Sequence, residues 1–427
     1  MQRAVRTMTS GLLVVSLAAL VLAASASASE VLFWTWTTGA GYDAENKIID
    51  MFRAQRPDIT VTYDVSNVRN GESLVVAIAG GVPPDLTATH QDWHRDFAYQ
   101  GLFLDLRPYI ERDGFDLSVF PRELMEYYTG PNGEITGFPS QFTTIVLGYN
   151  KDLFERYALP YPQVEWTLDD MVAAAQKFTI DENGDGEADQ WGLHIGPLHE
   201  YVWRLWGLTL MAEDGRRSNL DDPRAIESFR WLASLYLDYG VVGDAGGNRE
   251  SPRWTSGKIG MALAWPHYLT LWGTALQSPW DIEQIPTGPS GRKVARGATA
   301  GWGIPASAKN PDGAWEVLKF LASMEAQLAL LQSGRGGTTL PAVREYYSRV
   351  ASGADVGFAA PGSMANVSAI VAGYEYASID RYPPGFAAIW RDVINPGIQQ
   401  IVRGQAPPET VMPEVDRQVE AIVAANQ

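Results

Sequence analysis

Val31-Leu32-Phe33-Trp34-Thr35-Trp36-Thr37-Thr38-Gly39 is the stretch from which the fold can be read. Val31 to Thr35 is an apolar run bounded by Gly39 and Gly41, the pattern of a buried strand. Ala44 to Gln55 then carries Ile48, Ile49 and Phe52 on one helical face and is stopped by Pro57. Ile59 to Tyr63 alternates apolar residues with Thr60 and Thr62, a second strand. Ser73 to Ala79 reads as a short helix ended by Gly80 and Gly81, and Pro84 to Ala88 enters a third strand. This order predicts an α/β protein with a mostly parallel sheet. Ligands of such sheets bind beyond the carboxyl ends of the strands, where Trp36 and Trp93 fall.

Further along, Ile145 to Tyr149 is a strand with a helix from Lys151. Thr167 is an N-cap with Asp170 three residues on, at the start of another helix. Asp222 to Leu237 and Gly313 to Gln332 are long amphipathic helices, and Gly260 to Trp265 is a strand. The tail from Pro384 reads as helices broken at Pro396-Gly397 and Pro407-Pro408. A chain of 427 residues exceeds one ordinary core, so two lobes are expected.

The amino terminus reads as an export signal over residues 1–28. Arg3 and Arg6 precede an apolar stretch, Gly11 to Ala23, and small residues from Ala24 to Ala28 offer a cleavage site. An uncleaved anchor is the alternative, and no later segment reads as membrane-spanning. The chain has no cysteine, so it carries neither disulfides nor a lipid-bearing cysteine, and a lipoprotein tether is excluded. These features point to a soluble periplasmic protein. The net charge of −17 becomes more acidic once both leader arginines are gone, which argues against nucleic acid as a partner.

The 15 tryptophans are concentrated where strands end, beside glycine, proline or small polar residues: Trp36, Trp93, Trp265 before Pro266, and Trp302 between two glycines. Such placement suits a ligand with flat apolar faces and many hydroxyls, while packing in a core is the competing reading. Trp231 and Trp315 sit in amphipathic helices and read as packing. Asp181, Asn183, Asp185, Glu187 and Asp189 resemble the opening of a calcium loop with Gly186 at its sixth position, but Gly192 stands where the bidentate glutamate belongs. The turn is therefore either a structural calcium site or an acidic surface turn. His90 and His94 are spaced for zinc on a helix, without a third ligand. No serine elbow, zincin motif or phosphate loop is present. Paired carboxylates of a secreted carbohydrate-active enzyme remain open on sequence alone.

Several segments in order resemble the extracellular solute-binding proteins (family 1) of ABC importers, the group that includes maltodextrin-binding proteins. They are Val31 to Gly39, Phe52 to Tyr63, Ala79 to Leu86, Gly101 to Leu106, Gly137 to Leu153, Gly257 to Met261, and Gly301 to Phe320. The resemblance implies a two-lobe periplasmic-binding-protein (type II) α/β fold with three hinge crossings, near Phe138–Thr143, Glu283–Thr287 and Gly337–Pro341. It implies an N-lobe of residues 29–140 plus 287–336 and a C-lobe of 141–286 plus 337–427. It further implies a non-enzymatic, monomeric protein that takes a sugar or oligosaccharide in the interlobe cleft and delivers it to a membrane permease, with no required cofactor. A glycerophosphodiester or a polyamine is the alternative ligand. Carried over residue by residue, it assigns ligand contact to Trp36, Thr37, Gln91, Asp92, Gln141, Thr143, Tyr201, Trp203, Trp265, Trp302, Arg335 and Tyr374.

Overall fold

The computed structural model describes residues 29–35, 40–65, 71–186, 188–212, 215–242, 252–266, 276, 278–333, 336–354, 366–380, 382–383 and 385–425. The strands are β1 (Ser29–Thr35), β2 (Ile59–Val65), β3 (Leu86–His90), β4 (Phe138–Thr144), β5 (Val146–Asn150), β6 (Trp191–His194), β7 (Ile259–Ala264), β8 (Trp280–Glu283), β9 (Ala295–Gly303) and β10 (Ala377–Ser378). They form two sheets, one ordered β10-β9-β3-β1-β2 with β4 added on β9, the other β6-β7-β5-β8.

The first sheet follows the expected strand–helix–strand pattern. β1 lies parallel to β2 and β3, with Ser29 opposite Ile59 and Phe33 opposite Leu86. Val31 and Phe33 are buried on one face, while Trp34 on the other is only half-buried. The helix Ala40–Gln55 starts four residues earlier than its apolar periodicity and buries Ile48, Ile49 and Phe52. β9 continues the sheet as an antiparallel strand beside β3, pairing Thr87 with Gly303 and His90 with Ala300.

In the second sheet β5 is buried throughout and runs antiparallel to both β7 and β8. A capping box starts the helix Leu168–Phe178: Thr167 Oγ1 accepts from Asp170 N, and Asp170 accepts from Thr167 N at 2.8 Å. That helix packs so closely on β6 that a Cβ on Gly192 would lie 2.1 Å from the Ala175 carbonyl oxygen. Helices Pro223–Leu237, Asn395–Val402 and Pro408–Ala425 pack on one another and complete this lobe.

The sheets are joined where β4 and β9 run side by side. β4 pairs with β9 from Phe138–Trp302 to Thr144–Gly297, and β5 begins two residues after β4 ends. A further connection lies beside them: Phe142 N donates to Gly336 O at 3.3 Å, and Thr338 Oγ1 donates to Pro139 O at 3.2 Å. The crossing expected at Glu283–Thr287 lies later in the chain. Glu283 ends β8, Thr287 exchanges hydrogen bonds with Trp166 and Leu168, and Ser290 N donates to Leu205 O at 3.1 Å. Residues 287–294 therefore stay with the second lobe, and the chain crosses on β9 at Ala295–Ala298. Gly288 is one cause, since a Cβ there would meet Leu205 O at 2.5 Å and the two segments are held flush.

Candidate functional site

The two-stranded connection has one buried face and one open face. Along β4, Phe142 and Thr144 are buried, whereas Gln141 and Thr143 are half-exposed. Along β9, Ala298 is half-exposed and Arg296 largely enclosed, each between buried neighbours, and Thr143 is the register partner of Ala298. Alternation along paired strands thus puts Gln141, Thr143, Ala298 and Arg296 on one face between the lobes. Asp92 stands beyond the carboxyl end of β3, half-buried, with its Oδ2 3.1 Å from His90 Nδ1. Trp265 follows the carboxyl end of β7.

Arg296 is the organising group. Its side chain is 11% exposed and pairs through Nη2 with Glu200 Oε2 at 2.5 Å. Its guanidinium lies over the Trp265 ring, 5.5 Å from the centroid. Burial works against this charge. Glu200, Tyr382 and Asp92 together outweigh it, so the guanidinium is held protonated more firmly than in water. Tyr201, buried just beneath, feels the same charge, and burial pushes its hydroxyl pKa up. Sequence reasoning passed over Arg296, Glu200 and Tyr382. The signal was present for Arg296, the one charged residue in the nine-residue apolar strand Ala295–Gly303. Burying such a charge is costly unless it is paired.

The other expected contacts separate into groups. Trp36, Thr37, Arg335 and Glu187 lie outside the described residues. Gln91 is buried and spends its side chain on β9, where Oε1 accepts from Thr299 N at 2.8 Å. Trp203 is 1% exposed, and its Nε1 donates to Asp380 Oδ2 at 2.7 Å. Trp302 is enclosed in the sheet between Ala88 and Phe138. Tyr374 is buried, and its hydroxyl donates to Phe142 O at 2.9 Å and Gly337 O at 3.0 Å, tying two of the crossings together. Trp203, Trp302 and Tyr374 are thus packing residues here, because their rings are closed in by the core and the polar atoms of Trp203 and Tyr374 are already bonded. Trp265 is also buried, at 6% exposure, and Arg296 occupies a ring face that a ligand was expected to use. Trp93 packs with Leu74 and Phe103 in a small satellite core.

The acidic turn uses its carboxylates on its own backbone. Asp181 accepts Gly184 N at 2.6 Å and Gly186 N at 2.9 Å through its two oxygens, and Asp189 Oδ2 accepts Glu182 N at 3.0 Å. Asn183 Oδ1 accepts Asp185 N. The twelfth position cannot bear a ligand, since Gly192 is pressed against Ala175 O. Among the described residues no group of three histidine, aspartate or glutamate side chains could hold a metal ion. The zinc reading of His90 and His94 fails: His94 Nε2 bonds Thr136 Oγ1 at 3.0 Å, its ring stacks on Phe103, and burial lowers its pKa to about 3.

Comparison with known proteins gives a consistent result. The family model described as bacterial extracellular solute-binding protein matches residues 35–328. A protein of Brucella abortus (strain 2308), named only as a binding protein, is 27% identical over 436 residues, covering 96% of this chain and 97% of its own. The sn-glycerol-3-phosphate-binding periplasmic protein UgpB of Rhizobium meliloti (strain 1021) is 24% identical, covering 75% of this chain and 77% of its own. The solved structure of an ABC substrate-binding protein from Listeria monocytogenes in complex with cycloalternan superposes with a TM-score of 0.75. It is 21% identical and covers 93% of this chain and 99% of the other, so the fold is shared.

Proposed function

The chain belongs to the bacterial extracellular solute-binding protein family, and from that premise we propose that it captures a sugar or oligosaccharide between its lobes. We propose further that it acts in the periplasm after loss of residues 1–28, as a monomer without enzymatic activity or a required cofactor. In this reading it hands its ligand to the permease of an ABC importer. Among the described residues no helix is long and apolar enough to cross a membrane.

The observation that carries the reading is the composition of the face between the lobes. Gln141 and Thr143 offer neutral hydrogen-bonding groups and Asp92 an acceptor, around a cation that is already paired, while the largely buried Trp265 lies beneath that cation with its edge left to a ligand. Hydroxyl-rich rings suit that set: a carboxylate accepts hydroxyl protons in charge-assisted bonds, and an aromatic ring covers the apolar face of a pyranose. Covering about 100 Å² of apolar surface contributes about 2.5 kcal/mol before binding costs. Asp92 and Gln141 are assigned to hydroxyls and Trp265 to a ring edge or its remaining face.

A second ligand, sn-glycerol 3-phosphate, is suggested by the relatives named for it. Arg296, the cation described at this face, is neutralised by Glu200 and lies near Asp92, which favours a neutral ligand. A thermal-shift panel of neutral mono- and oligosaccharides beside sn-glycerol 3-phosphate and spermidine separates the readings. The expected result is a saturable shift with a saccharide alone. A shift with the phosphate ester alone assigns the cleft to an anion. Release of reducing ends on incubation with oligosaccharides overturns the non-enzymatic reading.

A further inference from the structure

Three residues of the second lobe, Tyr382, Gly385 and Phe386, are gripped from two directions. Phe386 begins a helix that runs unbroken through Ile389, a π-helical turn at Trp390–Ile394, and Asn395–Val402. Gly385, with φ 73°, stands at its N-cap and has no side chain to offer the exposed N–H groups. The cap comes from the other lobe: Asp96 Oδ2 accepts Gly385 N at 3.0 Å, across 289 residues of chain. Asp96 lies on the short helix His94–Tyr99, which follows β3 and packs through Phe97 against Trp93. The capped helix instead packs on Pro223–Leu237 of the second lobe. From the hinge strand, Arg296 bonds the Tyr382 hydroxyl, and Tyr382 stacks on Phe386 with centroids 4.0 Å apart.

We propose that Asp96 and the residues Tyr382, Gly385 and Phe386 form the clasp by which the lobes close, with Asp96 a positioning residue for ligand capture. The proposal rests on the reading that a ligand is taken between the lobes. The bond between Asp96 and Gly385 joins the lobes directly, so it contributes to the closed state and not to an open one. A contact that differs between two states shifts their populations. A carboxylate at a helix N-terminus gains from both the N–H bond and the positive end of the helix dipole. Burial raises the Asp96 pKa despite Gly385 N–H and the nearby Arg95, so desolvating this carboxylate is a cost that the contact offsets.

The chain has no cysteine, so two introduced ones report the lobe separation without background. Exposed Glu111 and Lys177 lie on helices of the two lobes and suit spin labels as Glu111→Cys and Lys177→Cys. Distances are measured by pulsed electron paramagnetic resonance, without ligand and with maltotetraose or mannotriose. Asp96→Ala is expected to move the ligand-free distribution toward longer distances. Where the wild type binds the probe, the variant is expected to bind about tenfold more weakly, mainly through faster dissociation. Asp96→Asn, which keeps an acceptor oxygen, is expected to fall between. Distances for Asp96→Ala that match the wild type overturn the clasp. Weakened binding with unchanged distances overturns it too, since Asp96 then touches the ligand. If the wild type binds neither probe, the saccharide reading is what suffers, and the ligand-free distances still decide the clasp.

Discussion

The turn that begins at Asp181 and the cluster around Arg296 are both concentrations of charge, and they use it in opposite ways. At the turn the carboxylates are exposed and fold back on their own loop, accepting backbone N–H groups within eight residues. At Arg296 the charge is enclosed, and its partners come from elements far apart in sequence: Glu200, Trp265 and Tyr382. The difference follows from water. An exposed acid is solvated already and needs only local bonds. A buried cation must recruit partners, and the recruited partners join the hinge to the second lobe.

The sharpest way to break this contrast is Arg296→Leu. Removing one member of an enclosed pair strands the other, so a loss of about 3 kcal/mol is expected in urea unfolding. The double variant Arg296→Met with Glu200→Gln is expected to recover part of that loss; equal losses in both would mean that the pairing is not what matters. His94 gives a third case, a buried titratable ring without a counter-ion. Its folded-state pKa is depressed to about 3 from 6.5, so the unfolded chain binds the proton more readily in between. Stability is therefore complete above pH 6.5 and falls as the pH drops toward 3, by about 2 kcal/mol at pH 5. His94→Phe should flatten that part of the pH profile, and an unchanged slope would place the effect elsewhere. Thr167→Ala removes an exposed local cap of the same kind as those in the acidic turn, and about 1 kcal/mol is expected. The smallest effect belongs to the turn itself: EDTA should leave the thermal midpoint and ligand affinity unchanged, and a midpoint lowered by EDTA and restored by calcium would assign the turn to a metal ion.

The parallel start of the fold was legible because each element carries its own periodicity. Val31 and Phe33 face inward, Ile48, Ile49 and Phe52 share a helical stripe, and Thr167 with Asp170 spells out a cap. These signals are local, as propensity and capping are. The second crossing was misplaced by about ten residues because nothing local marks it; it is set by Thr287 pairing with Thr167 and Gly288 lying flush on Leu205. The site was half legible for the same reason. Asp92, Gln141 and Thr143 were singled out from their place at strand ends and on the crossing, and their side chains are partly exposed there. Trp302 was expected as a platform because a tryptophan between glycines looks alike whether it faces a ligand or a core, and Trp203 because the family resemblance put an aromatic there. Their enclosure depends on partners such as Asp380, 177 residues away. Arg296 left a clear trace, a lone charge in an apolar strand, but its meaning needed Glu200 to be placed beside it.

Isothermal titration of the chain lacking residues 1–28 with neutral oligosaccharides, repeated on Asp92→Ala, tests the central claim most directly. Saturable binding in the micromolar range is expected for at least one saccharide, at about −8 kcal/mol. Asp92→Ala should weaken it by tenfold or more, since the variant loses a charged acceptor. No heat with any saccharide, or equal affinity in the variant, would contradict a sugar held between the lobes at Asp92.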